Sequence, residues 1–142
     1  MASSAISQLN VSHPILEEGW LGTRSPYREG EFFRQMSDEA LIDFISVSER
    51  SLCPGAALIL REGQKPASIV FLLEGKAKLS LNSIDGRRLV IGFASPGEIL
   101  GLTSAVSGYP YEITAEAHFQ CMISSLPRQS FLDFMLRSPV AS

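Results

Sequence analysis

The sequence predicts a mainly β fold: an antiparallel barrel or sandwich of short strands, flanked by helices. Three observations carry this. From about residue 50 apolar and polar residues alternate at period two in several short runs. Turn pairs punctuate those runs, at Pro54-Gly55, Glu62-Gly63, Glu74-Gly75 and Pro96-Gly97. The longer helix-period segments lie before and after this region. Many short strands at such spacing close into a barrel or pack as two sheets.

Residues 1–36 read as an irregular lead-in. His13-Pro14, Glu18-Gly19, Gly22, Ser25-Pro26 and Glu29-Gly30 interrupt it, with room for one helical turn near Ile15 to Leu21. Trp20, Tyr27, Phe32 and Phe33 are expected to pack on the domain. The domain proper is expected over 37–142. Ser37 is a good N-cap, Asp38 and Glu39 suit the positive helix end, and Ala40, Leu41, Phe44, Ile45 and Val47 form an apolar face.

Among the strands, Ala77, Leu79 and Leu81 are expected to face inward, with Lys76, Lys78, Ser80 and Asn82 outward. Across a hairpin turn at Ile84-Asp85-Gly86-Arg87, Leu89, Ile91 and Phe93 repeat the pattern. Ile113, Ala115 and Ala117 alternate with Glu112, Thr114 and Glu116; Phe119, Cys121 and Ile123 alternate with His118, Gln120 and Ser124. Ala57 to Leu60 and Ile69 to Leu73 are continuous apolar runs. Pro127 can sit in the first turn of a last helix packed through Phe131, Phe134, Met135 and Leu136.

At 142 residues the chain suits one domain with its own core. Twelve Lys and Arg against fifteen Asp and Glu leave a net charge of −3, and the largest basic cluster is Arg87-Arg88. Nucleic-acid contact by these residues is therefore not expected. Two distant cysteines, Cys53 and Cys121, fit buried thiols in a reduced cytoplasm, with a disulfide as the alternative. The N-terminus lacks the pattern of a signal peptide, and nothing is long and apolar enough to suggest a membrane span.

Several segments, taken in order, resemble the Crp/Fnr family of transcription regulators. Phe33 to Leu41 resembles its opening helix, Pro54 to Gly63 its first barrel strands, and Phe71 to Leu79 the next strand pair; Pro96-Gly97-Glu98-Ile99-Leu100-Gly101-Leu102 resembles the start of its phosphate-binding cassette. The resemblance implies a double-stranded β-helix (jelly-roll) barrel of the cyclic-nucleotide-binding domain type. It implies an effector site at Gly97, Glu98, Ile99, Leu100, Gly101, Tyr111 and Glu112, with a short helix over Leu102 to Ser107.

In the family a Glu of the cassette accepts a ribose hydroxyl, and an Arg about ten residues on neutralises the cyclic phosphate. Glu98 matches the first role in this alignment, whereas the arginine position aligns with Tyr111. Period two also turns Tyr111 inward with Ile113, Ala115 and Ala117, and turns Glu112 outward. A phenol donates a hydrogen bond but brings no positive charge. Standard cyclic AMP binding is therefore not expected, unless Arg61, Arg87 or Arg88 replaces the missing charge. For Glu98 a purely local role, a strand-end residue capping the next helix, is equally open.

The cassette is closer to the Fnr branch, but an iron–sulfur cluster needs four thiolates and the chain has two. His13 and His118 suit solvated positions better than haem ligation, and two histidines without an H-x-H pair argue against a cupin-type metal enzyme. No catalytic set emerges, and neither cofactor nor metal is expected.

The reading is a cytoplasmic effector-sensing domain of a Crp/Fnr-type regulator. Its partner is a small molecule of unknown identity. The resemblance implies a homodimer in a longer protein, with DNA read by a C-terminal domain not present in this chain. A stand-alone cyclic-nucleotide-binding-like regulatory or protein-interaction module is the alternative.

Overall fold

The computed structural model describes Tyr27 and residues 30–137. The expected turn near Ile15 to Leu21, the packing of Trp20 and the position of His13 lie outside the described residues.

In chain order the elements are helices α1 (Glu31–Arg34) and α2 (Asp38–Val47), strands β1 (Glu49–Cys53), β2 (Leu58–Leu60), β3 (Ser68–Glu74), β4 (Ala77–Asn82), β5 (Arg88–Ala94) and β6 (Ile99–Leu100), helix α3 (Leu102–Ser107), strands β7 (Thr114–Ala117) and β8 (Cys121–Pro127), and helix α4 (Arg128–Arg137). The Ser37 hydroxyl caps α2 by accepting the Ala40 N–H at 3.1 Å. Helix α1 is a single turn where irregular chain was expected. Pro127 ends β8 and immediately precedes α4, one residue outside the helix it was expected to open.

The strands form two antiparallel four-stranded sheets, ordered β1-β8-β3-β6 and β2-β7-β4-β5. One core lies between the first sheet and the helices. It joins Ile69, Phe71 and Leu73 of β3 to Phe33, Leu41, Phe44, Ile45, Phe131 and Phe134, and it includes Tyr27 of the lead-in. The other lies between the two sheets and joins Val70 and Leu72 to Ala77, Ala94, Ala115 and Ala117. The first sheet is thus a middle layer, covered on both faces, which is why Ile69 to Leu73 is apolar without alternation.

Tyr27 stacks on Phe71 with ring centroids 4.6 Å apart, and Phe33 meets Phe44 edge-on at the same separation. Of the lead-in aromatics, Tyr27 and Phe33 therefore pack on the domain as expected, and Phe32 contributes from the margin of this core.

Several orientations differ from simple alternation. Along the β4–β5 ladder Leu79 pairs with Gly92 but Ser80 with Val90, so Ile91 is an extra residue in β5. This bulge places Leu89, opposite Leu81, and Phe93, opposite Lys78, on different faces. Leu89, Ile91 and Phe93 are all exposed, because β5 is the sheet edge. Ser80 and Thr114, expected outward, do lie on the outer face but are buried there beneath neighbouring side chains. Ile113 is only half-buried. Phe119 is 74% exposed because β7 stops at Ala117 and the chain bends before β8. Leu136 is 86% exposed, leaving Phe131 and Phe134, with Met135 at the margin, to hold α4.

Candidate functional site

The cassette segment is built by β6 and the turns around it. Gly97 adopts a left-handed φ of 99°, and its N–H donates to Leu72 O at 2.9 Å. The Glu98 carbonyl accepts the Leu72 N–H at 3.0 Å, continuing the contact with β3. Ile99 and Leu100 then pair with Phe71 and Val70. Gly101 takes φ +84° and starts α3, which Gly108 ends at φ +83°. Among the described residues no side chain caps the first turn of this helix, which leaves its early N–H groups without a side-chain partner there.

Tyr111 occupies that neighbourhood. It is buried in the inter-sheet core with Leu60 and Leu100, inward as expected, although it precedes β7, which begins only at Thr114 after a bend at 112–113. Its hydroxyl donates to the Ser68 carbonyl at 2.6 Å and accepts the Ser68 N–H at 3.1 Å. Its own backbone accepts from Gly63 N–H at 2.9 Å and donates to Gln64 O at 3.0 Å. The ring lies so close to Gly101 that a β-carbon there would sit 3.0 Å from Cε1. The donor and the acceptor of the phenol are therefore both engaged within the fold.

Glu98 and Glu112 stand apart from this core; both are exposed. The Glu98 carboxylate accepts the Ser95 N–H at 2.7 Å, capping the Pro96-Gly97 turn. The role is local, as the alternative reading had it, but Glu98 caps the preceding turn and not the next helix, where no side-chain cap is found among the described residues. The structure brings Leu100, Gly101 and Tyr111 together, with Ile99 beside them in β6, while both carboxylates point to solvent or the turn.

Two arginines considered as substitutes lie on the other side of the second sheet. Arg61 and Arg88 line a cavity of about 470 Å³ on its outer face, with Glu62, Asn82, Thr114 and Glu116. Arg88 reaches the buried Ser80 hydroxyl at 3.3 Å, and Thr114 Oγ1 accepts the Glu62 N–H at 3.0 Å. Glu116 pairs with Lys78 at 3.1 Å. Arg87 lies in the hairpin turn beside Asp85, 3.5 Å away. None of the three enters the core around Tyr111.

Sequence reasoning missed Ser68 and Arg128. Arg128 Nε donates to Ala105 O at 2.8 Å, and its backbone N–H donates to Ala67 O at 2.9 Å. It thereby ties the end of α3 to the start of α4. An arginine following a proline gives no local signal of such a contact. Among the described residues no group of three or more His, Cys, Asp or Glu is placed to hold a metal, and no helix is long and apolar enough to cross a membrane.

Comparison with known proteins places these features in context. The family model described as "Cyclic nucleotide-binding domain" matches residues 49–138. The transcriptional activatory protein AadR of Rhodopseudomonas palustris is 33% identical over 81 residues, covering 57% of this chain and 33% of that protein. Patatin-like phospholipase domain-containing protein 7 of Mus musculus is 25% identical over 87 residues, 61% of this chain and 6% of that protein. The chain thus spans a third or less of these curated relatives. Among solved structures, the catabolite activator protein of Thermus thermophilus superposes with a TM-score of 0.72 at 22% identity, covering 78% of this chain and 52% of that one.

Proposed function

Since this chain belongs to the cyclic nucleotide-binding domain family, we propose that it is the effector-sensing domain of a Crp/Fnr-type transcription regulator whose effector is not a standard cyclic nucleotide. The observation that carries the second half is Tyr111. Where a phosphate would need a cation, a neutral phenol lies against Gly101 with its hydroxyl held by both backbone groups of Ser68. A nucleotide phosphate entering there would displace that phenol and find no charge in exchange. Glu98, engaged by Ser95 N–H, would also have to leave its turn to meet a ribose.

The first half is supported by the match to AadR, named as a transcriptional activatory protein. In this reading an effector acts on the cassette around Leu100, Gly101 and Tyr111, and Arg128 passes a shift of α3 to α4. Control of DNA then belongs to a separate domain of a longer cytoplasmic, dimeric protein. The net charge of −3 agrees with a domain that does not itself grip DNA. No catalytic role is proposed. The match to 6% of a phospholipase-domain protein favours a second reading, a regulatory module carried by a larger protein of another class.

Calorimetric titration with cyclic AMP and cyclic GMP tests the proposal, on the native chain and on Tyr111→Arg, with thermal melting to confirm that the variant folds. The native chain is expected to give no saturable heat. If the cassette backbone is competent, a folded Tyr111→Arg binds at least about tenfold more tightly, the effect of one charge-assisted hydrogen bond. Micromolar or tighter binding by the native chain overturns the reading.

A further inference from the structure

Cys53 ends β1 and Cys121 begins β8, and the register of the β1–β8 ladder makes them direct cross-strand partners. Both thiols are free. Antiparallel partners have Cα atoms roughly 4.5 or 5.5 Å apart, according to whether the pair is hydrogen-bonded, and both values lie inside the range of about 4.4–6.8 Å that a disulfide spans. Their side chains share a face of the first sheet: Cys121 belongs to the inter-sheet core and Cys53 packs against that same cluster.

We propose that Cys53 and Cys121 are a modification site, a thiol pair that a peroxide or a low-molecular-weight disulfide converts to an intrachain disulfide. The two differ in access, which fixes the order of events. Cys53 is partly exposed, whereas Cys121 is buried and its thiol donates to Lys76 O at 2.9 Å. Cys53 is the entry sulfur and Cys121 the resolving one.

With hydrogen peroxide, the Cys53 thiolate attacks one oxygen, the O–O bond breaks, water leaves, and Cys53 becomes a sulfenic acid. The Cys121 sulfur then attacks Cys53, the S–S bond forms, and a second water carries off the hydroxyl. The thiol pair loses two electrons and two protons, and the peroxide is reduced to two waters. With a small disulfide, Cys53 displaces one thiol and Cys121 displaces the other from the mixed disulfide. Burial, with the neighbouring Cys121 adding to it, pushes the Cys53 thiol up, so the reactive thiolate is scarce at neutral pH. Conversion therefore takes minutes to hours, the range of uncatalysed exchange.

The bridge would fasten β1 to β8 on the inter-sheet core. Cross-strand Cβ atoms usually lie roughly 4.5–5.5 Å apart, against about 3.5–4.5 Å in a disulfide, so closure draws the strands together and leaves a bond that reductants reopen. Cys121 also sits under the β3–β4 turn, where a β-carbon on Gly75 would be 3.3 Å from its sulfur.

The test incubates the folded native chain with excess oxidised glutathione, then alkylates remaining thiols in denaturant and measures intact mass. The expected product is monomeric, carries neither alkyl nor glutathione groups, yields one linked peptide pair containing Cys53 and Cys121, and returns to two thiols with dithiothreitol. Cys121→Ala is expected to stop at a glutathione adduct on Cys53, and Cys53→Ala to leave Cys121 unmodified. A native chain that keeps both thiols, retains glutathione on Cys53, or links only between molecules overturns the proposal.

Discussion

The Tyr111 hydroxyl satisfies both polar groups of the Ser68 backbone, so the residue in the arginine position also holds the fold together. Tyr111→Phe removes both bonds and leaves two backbone groups short of partners. A loss of about 1–3 kcal/mol is expected in urea unfolding, the cost of unsatisfied polar groups in a protein interior. A change below about 0.5 kcal/mol would mean that water replaces the phenol. Tyr27 carries a second residue-scale prediction. Burial pushes its phenol up to about 12, opposed by hydrogen bonds with Ser124 and Ser48 and by the charge of Arg50. A folded value above the unfolded 10.0 means that this stability is fully present below pH 10 and is lost as pH rises towards and through 12. The full span corresponds to about 3 kcal/mol. Tyr27→Phe is expected to flatten that alkaline loss in chemical unfolding between pH 9 and pH 11, and an unchanged slope would assign it to other groups.

At the scale of elements, the lead-in and the cassette meet backbone to backbone. Gly30 precedes α1, and a β-carbon there would overlap Gly97 O. Its φ of −89° suits any residue, so the clash alone requires glycine. Gly30→Ala is expected to cost about 1–3 kcal/mol, the range of overpacked sites, and to raise hydrogen exchange around 95–101. Normal exchange there would show that α1 adjusts without the turn. Arg128 links α3 to α4 through Ala105 O. Arg128→Ala is expected to destabilise by about 1.5–3 kcal/mol and to speed exchange in α3 before other elements. Helix α2 was legible in the sequence because caps and packing faces are local, with Ser37, Leu41, Phe44 and Ile45 announcing it, and the resemblance gave the span of α3 to the residue, whereas the single turn of α1 was not read. The β5 register was not legible. One extra residue, Ile91, changes which face follows, and nothing in the local pattern marks it.

At the scale of the whole molecule, two sheets and a helix layer enclose two cores, and one edge stays apolar. Leu89, Val90, Ile91 and Phe93 of β5 are each about half exposed on a strand with one free side. Such edges pair with other chains. Val90→Lys is expected to leave stability within about 0.5 kcal/mol, as for most surface changes, and to lower whatever self-association the native chain shows in sedimentation velocity. Unchanged association would place the contact elsewhere. The sequence by itself determined the fold class, helices α2 and α4 and the hairpin at Ile84 to Arg87, because period, capping and turn chemistry act over a few residues. Tertiary structure alone decided that Arg61 and Arg88 lie on the outer face, that Glu98 caps its own turn, and that Cys53 and Cys121 stand opposite each other. Those facts depend on which strands become neighbours and on which side of a sheet a bulge leaves a residue. Strand pairing joins residues dozens of positions apart, and no local pattern encodes that distance.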